Sequence, residues 1–109
     1  MSTEVLLVLT TCGDAATAAE LAESLVSQRL AACVNAIEGV TSTYRWEGKT
    51  ERASETMLVI KTTEQRYHAV EAHIRAQSNY ELPEIIAVRS QGGLEAYLNW
   101  VRAETQQAE

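Results

Sequence analysis

Two thiols, Cys12 and Cys33, and two imidazoles, His68 and His73, are the side chains of this chain that soft and borderline metal ions select. Their spacing supplies no local chelate. There is no CxxC and no HExxH, and histidines five residues apart on a helix point about 140° apart around its axis. A metal site must therefore be assembled by the fold, and Cys33 is the candidate ligand. Cys33 also has an ordinary reading as a small buried hydrophobe, because it follows "LAA" at a junction from helix to strand. Cys12, in a turn ahead of Asp14, is expected to be exposed. Thiols are soft donors and no compact set of hard oxygen ligands is visible, so Cu(I) is expected to bind better than Mg²⁺ or Ca²⁺.

For acid or base work the carboxylates to consider are Glu47, Glu51, Glu55, Glu81 and Glu84. A general base needs a tuned pKa and a reacting atom within reach, and most of these read as solvated surface charges. Glu55 and Lys61 stand out because they bracket the apolar "MLVI", where a charge is costly unless it is paired. The glycines of "SQGG" offer backbone amides to an anion, although a turn from strand to helix accounts for them as well. Nothing resembles a nucleophile motif. No catalytic residue is assigned, and the chain reads as a non-enzyme.

The remaining chemical signal is aromatic. The chain has no phenylalanine, four tyrosines and two tryptophans, yet "STYRWEGKTE" places Tyr44 and Trp46 two positions apart before a glycine turn. Strand alternation puts Val40, Ser42, Tyr44 and Trp46 on one face and Thr41, Thr43, Arg45 and Glu47 on the other. That aromatic face has to be covered by this chain, by a second copy of it or by a ligand.

The elements that must position these residues are legible from periodicity. "EVLLVLT" (4–10) is a strand apolar on both faces. Asp14 is an N-cap, and Ala18, Leu21, Ala22, Leu25, Val26 and Leu30 form one helical stripe to about residue 31. "CVNAI" opens a second strand, "EG" at 38 and 39 reads as a bulge or bend, "VTSTYRW" continues the strand and "EGKT" reverses it. "SETMLVIKT" is the third strand. Thr62 and Gln65 form a capping box for a helix with Tyr67, Val70, Ile74 and Gln77 inward. "SNYELPE" is a loop, "IIAVRS" a fourth strand, and "LEAYLNWVRAE" a last helix with Leu94, Tyr97, Leu98 and Val101 inward.

This order makes residues 1–109 one α+β domain, a ferredoxin-like βαββαβ sandwich with an additional C-terminal helix. One dimension is out of scale. Cys33 to Gly48 would extend roughly 50 Å at about 3.3 Å per residue, whereas a domain of this size has a radius of gyration of roughly 13 Å. The hairpin either bends hard at Gly39 or overhangs its domain and carries Tyr44 and Trp46 onto another subunit.

Composition narrows the partners. With 46% apolar and 22% charged residues the chain lies outside the disordered class. A net charge of −6 argues against nucleic acid, since displacing counterions from phosphates needs a basic face. All nine Lys and Arg residues follow Gln28, so an anion would have to meet the later part of the chain. There is no basic segment ahead of "VLLVLT" and no run of about 18 apolar residues, so no signal peptide and no membrane span is expected. The expected compartment is the cytoplasm, with both cysteines as thiols.

The segments "RLAACVN", "YRWEGK", "MLVIKTT" and "YELPEIIAV" together closely resemble the CutA family, named for tolerance to divalent cations. The resemblance covers roughly residues 4 to 103. It implies a ferredoxin-like homotrimer built much like the PII-type signal proteins, with strands shared across subunits. It places Cys33, Tyr44, Trp46, Gly48, Glu55, Lys61, Tyr80, Pro83 and Glu84 at or near the clefts between subunits. It also implies copper or another divalent ion as a ligand. Where the family commonly writes His and Pro ahead of this tyrosine, the chain has Ser78 and Asn79, so one candidate imidazole is missing. The leading reading is a trimeric divalent-cation tolerance protein that binds or responds to a metal ion weakly. A PII-like small-molecule sensor or enzyme using Glu55, Lys61, Tyr80 and Glu84 in the cleft is the alternative.

Overall fold

A computed structural model describes residues 4–106. Its elements run β1 (Val5–Cys12), α1 (Ala15–Ser27), β2 (Cys33–Trp46), β3 (Lys49–Thr63), a 3₁₀ turn (Glu64–Arg66), α2 (Tyr67–Gln77), β4 (Ile86–Arg89) and α3 (Glu95–Glu104). The antiparallel sheet has the order β2-β3-β1-β4, the ferredoxin-like arrangement expected from the sequence.

Strand parity decides which face of the sheet is covered. Val8, Leu58 and Ile60 are fully buried against Leu21, Leu25, Val70 and Ile74 of α1 and α2. Replacing Leu58 with Ala would leave a cavity there and cost about 2–5 kcal/mol. Leu7, Leu9, Met57 and Val59 alternate with these residues on the opposite face and are only half-buried. The register places Leu9 between Val59 and Ile86, and Leu7 between Lys61 and Val88. Ile37, Ile86 and Val88 on that face are 49%, 51% and 47% exposed, which leaves an apolar sheet face largely open.

Only one end of the open face is covered, by α3. There Val5, Ala32 and Val101 are buried together with Leu98 against them. Gly93 lets the chain enter α3 close to this cluster, since a Cβ at that position would stand 3.2 Å from Leu98 Cδ2. The expected inner stripe of the last helix is only half realised: Leu94 is 76% exposed and Tyr97 is 39% exposed. Leu94 caps the helix instead of packing in it, and the apolar contact of α3 with the sheet end runs through Leu98 and Val101.

Local chemistry sets the element ends. Asp14 Oδ1 accepts the Thr17 amide at 2.7 Å, the expected N-cap of α1. α1 stops at Ser27, earlier than its apolar stripe suggested, in a Schellman turn with Arg29 at φ 60°. There the Leu30 amide bonds to Leu25 O and the Arg29 amide to Val26 O. The expected capping box at Thr62 is absent because β3 continues through Thr63; the Thr62 hydroxyl donates to Leu30 O at 2.6 Å instead. β1 likewise continues two residues further than expected, through Cys12.

The β2–β3 hairpin resolves the length question. Its turn has Glu47 at φ 51° and Gly48 at φ 81°, both left-handed, as a tight two-residue hairpin turn requires. A bulge with Gly39 at φ 76° shifts the register between Ile37 and Val40. Beyond it the hairpin runs on and overhangs. β1 pairs β3 only as far as Thr56, so Val40–Trp46 against Lys49–Glu55 is a ribbon with no third strand. The molecule is 46 Å along its longest axis, with a radius of gyration of 14.5 Å, above the roughly 13 Å of a sphere-like domain of this length.

Candidate functional site

Where the ribbon leaves the sheet, it and residues 79–86 enclose a cleft of about 930 Å³. Glu55 lies at its base, in register with Val40 just before β1 joins the sheet. The bulge at Gly39 puts Ser42, Tyr44 and Trp46 on the same face as Glu55, because Ser42 then pairs Ala53 and Tyr44 pairs Glu51. Without that extra residue the aromatic face would point the other way.

The opposite wall is set by the end of α2. Ser78 is its C-cap, and the Ser78 Oγ accepts the amide of Tyr80 at 3.0 Å. This local turn directs Tyr80 across the sheet end, where its hydroxyl donates to Glu55 Oε2 at 2.6 Å.

Partial burial works to raise the Glu55 pKa, but hydrogen bonding from Ser42, Tyr80 and Thr11 outweighs it and holds the carboxyl below its usual value. The same geometry drives Tyr80 the other way. Burial, the bond to Glu55 and the Glu55 charge all keep its phenol protonated well above the usual tyrosine value. Burial, then the charges of Asp14 and Glu55, raise the Cys12 thiol above its ordinary value, so it is a weak nucleophile at neutral pH.

Of the residues singled out from the sequence, Tyr44, Trp46, Glu55, Tyr80 and Glu84 line this one cleft. Lys61 and Cys33 do not join them within the chain. They are register partners on β3 and β2, six positions along β3 from Glu55, or about 20 Å at strand rise. Lys61 Nζ instead lies 5.7 Å from the centroid of the Tyr97 ring. The polar residues Thr11, Ser42 and Asn79 also line the cleft and were not singled out for it. The shared strand face of Ser42 and Tyr44 carried the signal for the first; nothing local marks Thr11 or Asn79.

Cys12 departs from the exposure expected of it. Cys12 is buried in the main core, because β1 extends to it and its parity directs it toward the helices. Cys33 is half-buried at the start of β2, and both are free thiols. Neither imidazole approaches Cys33 within hydrogen-bonding range: His73 Nε2 is 2.7 Å from Ser24 Oγ, and exposed His68 lies 3.9 Å from Glu71. Among the described residues no group of three or more His, Cys, Asp or Glu side chains is arranged to hold a metal ion. No helix among them is long and apolar enough to cross a membrane.

Known proteins share this architecture over nearly its full length. The family described as CutA1 divalent ion tolerance protein matches residues 6–104. The divalent-cation tolerance protein CutA of Pectobacterium atrosepticum is 39% identical over 100 residues, which cover 92% of this chain and 91% of that protein. The chloroplastic protein CutA 1 of rice is 42% identical over 88 residues, 81% of this chain, and there the chain spans only half the relative's length. The crystal structure of CutA from Xylella fastidiosa superposes with a TM-score of 0.92 at 41% identity, covering 95% of this chain and all of that one. A matched backbone and the alignment of residues 6–104 together make this chain a member of the CutA1 divalent ion tolerance family.

Proposed function

We propose that this member of the family serves divalent-cation tolerance as a cytoplasmic homotrimer that binds a metal ion weakly, without turning over a substrate. The observation that carries the assembly is the ribbon. A two-stranded ribbon is marginal in water by itself, and this one presents Tyr44 and Trp46 beside an open apolar sheet face. A second copy seated on the ribbon and sheet supplies the missing cover. Two free cysteines in a chain of this size fit a reducing compartment.

For the ion, Cys33 is the proposed soft ligand and Cu(I) the preferred metal. Cys33 is half-buried at the start of β2 and has Lys61 as its cross-strand neighbour, so a neighbouring copy would have to contribute further donors. The test is native mass spectrometry of the reduced protein with and without Cu(I). A three-chain mass that gains copper, with Cys33→Ser losing the copper and Cys12→Ser keeping it, supports the reading. Equal copper uptake by wild type and Cys33→Ser removes Cys33 as a ligand.

A further inference from the structure

We propose that a hollow on the helix side of the sheet, between the start of α1 and the end of α2, binds a short aliphatic primary ammonium whose other end carries a hydroxyl. The ammonium is held at Asp14 and Glu20 and the hydroxyl at Thr10. The proposal is independent of metal binding and of the ribbon.

The first argument is location. Thr10 and Cys12 alternate with Thr11 along β1, so they point with buried Val8 toward the helices, away from the sheet face that another copy is proposed to cover. Thr17, Glu20 and Leu21 of α1 and Ile74 and Gln77 of α2 border the same hollow, a cavity of about 290 Å³. Thr11, Asn79 and Tyr80 are shared with the ribbon cleft, but the rest of the lining belongs to the helical side. Its volume is at the low end of small-molecule sites, which suits a ligand of a few heavy atoms.

The second argument is charge. Asp14 and Glu20 stand at the exposed rim, and no Lys, Arg or His is among the described residues that line the hollow. Asp14 Oδ1 accepts the Thr17 amide at 2.7 Å, which offsets the positive end of α1 and holds the carboxyl below its usual pKa. The end of α2 adds the negative pole of an 11-residue helix. A cation is the complementary ligand. Among the described residues no group of three or more His, Cys, Asp or Glu side chains is arranged for a metal ion, whereas an ammonium needs only acceptors for its three protons.

The third argument is the floor. Thr10 is 1% exposed and lines the hollow, and its hydroxyl has no hydrogen-bond partner among the described residues. A buried hydroxyl left unpaired is costly, so a ligand hydroxyl that pairs with it is favoured. Leu21 and Ile74, both buried, border the same space and suit an aliphatic arm. Burial keeps the Cys12 thiol protonated, so the floor itself carries no charge.

Amide-resolved NMR titration of the assembled protein with 4-amino-1-butanol, in the presence of a chelator, tests this. The amides of Gly13, Thr17 and Gln77 should shift saturably, and those of Tyr44 and Trp46 should not. Butylamine, which lacks the hydroxyl, and 1,4-butanediol, which lacks the charge, should each bind about tenfold more weakly. Thr10→Val keeps shape and removes the hydroxyl. It should lower the affinity for 4-amino-1-butanol to that for butylamine and leave butylamine unchanged. Glu20→Gln, on the exposed rim, should weaken both amines about threefold. Thr10→Val should also melt no lower than wild type; a clearly lower melt would mean that the hydroxyl is already paired, and the proposal falls. Absence of saturable shifts, equal affinity for the three probes, equally strong shifts with ammonium chloride, or full affinity in both variants also overturns it.

Discussion

The Tyr80 hydroxyl donates a 2.6 Å hydrogen bond to Glu55 Oε2, joining the segment that follows α2 to the base of the overhanging ribbon. The bond joins side chains from the two walls of the cleft, so it positions those walls relative to each other. It also couples their titrations, since each group shifts the other's pKa.

Tyr80→Phe keeps the ring and removes this donor. Carbon-13 NMR titration should then show the Glu55 pKa moving up toward the ordinary glutamate value. Ser42 and Thr11 remain to hold part of the depression. Because both partners are partly solvated, the stability loss should be about 1 kcal/mol, read as a shift in the urea midpoint.

Stability should depend on pH at both extremes. Glu55 titrates lower in the folded chain than in the unfolded one, so its contribution is complete above the usual glutamate range. As acid is added below about pH 4.3, the unfolded chain takes up the proton first, and the contribution is lost as pH falls through the folded pKa. Tyr80 titrates higher in the folded chain, so its contribution is complete below about pH 10 and is lost as pH rises beyond that. Urea midpoints across these two ranges should fall in both directions. Glu55→Gln should flatten the acid limb and Tyr80→Phe the alkaline one; unchanged limbs would remove these groups from the account.

Arg29 holds α3 in place by a second route. Its Nε donates to Gln106 O at 3.0 Å, just beyond α3, and its Nη2 to Ala103 O at 2.9 Å in the last turn, capping the end of α3 from the end of α1. The same residue sits at φ 60°, where a Cβ is strained. Arg29→Ala keeps the strain and loses the cap, while Arg29→Gly loses the cap but relieves the strain. Thermal melts should therefore place the Gly variant above the Ala variant by about 1 kcal/mol, with hydrogen exchange of the α3 amides faster in both.

The sheet and its order were legible because strand and helix periods are properties of neighbouring residues: Val8 and Leu58, or Leu21 and Leu25, announce their shared burial at fixed spacings. Length alone showed that the hairpin must either bend at Gly39 or overhang, and the structure has a bulge there and an overhang beyond it. What could not be read was where a strand stops, as at Cys12 and Thr63, because strand ends are set by partners distant in sequence. That is why Cys12 reads as a turn residue and is a core residue. The aromatic and acidic side of the cleft was visible in "YRW" and Glu55, but its pairing with Tyr80 depends on where the turn at Ser78 sends the chain. Lys61 and Glu55 were grouped by their place around "MLVI" and are held apart by strand rise.

If other copies of the chain cover the ribbon and open sheet face, as proposed, mass in solution reads that assembly most directly. Light scattering at micromolar concentration should give three chains for the wild type. Trp46→Ala removes an aromatic from the ribbon face, where interface tryptophans contribute about 2 kcal/mol or more. It should move the mass toward one chain on dilution, while Thr43→Ala, on the opposite face, should leave it at three. A wild type that scatters as a single chain at that concentration, or a Trp46→Ala variant as trimeric and heat-stable as wild type, would contradict the assembly described here.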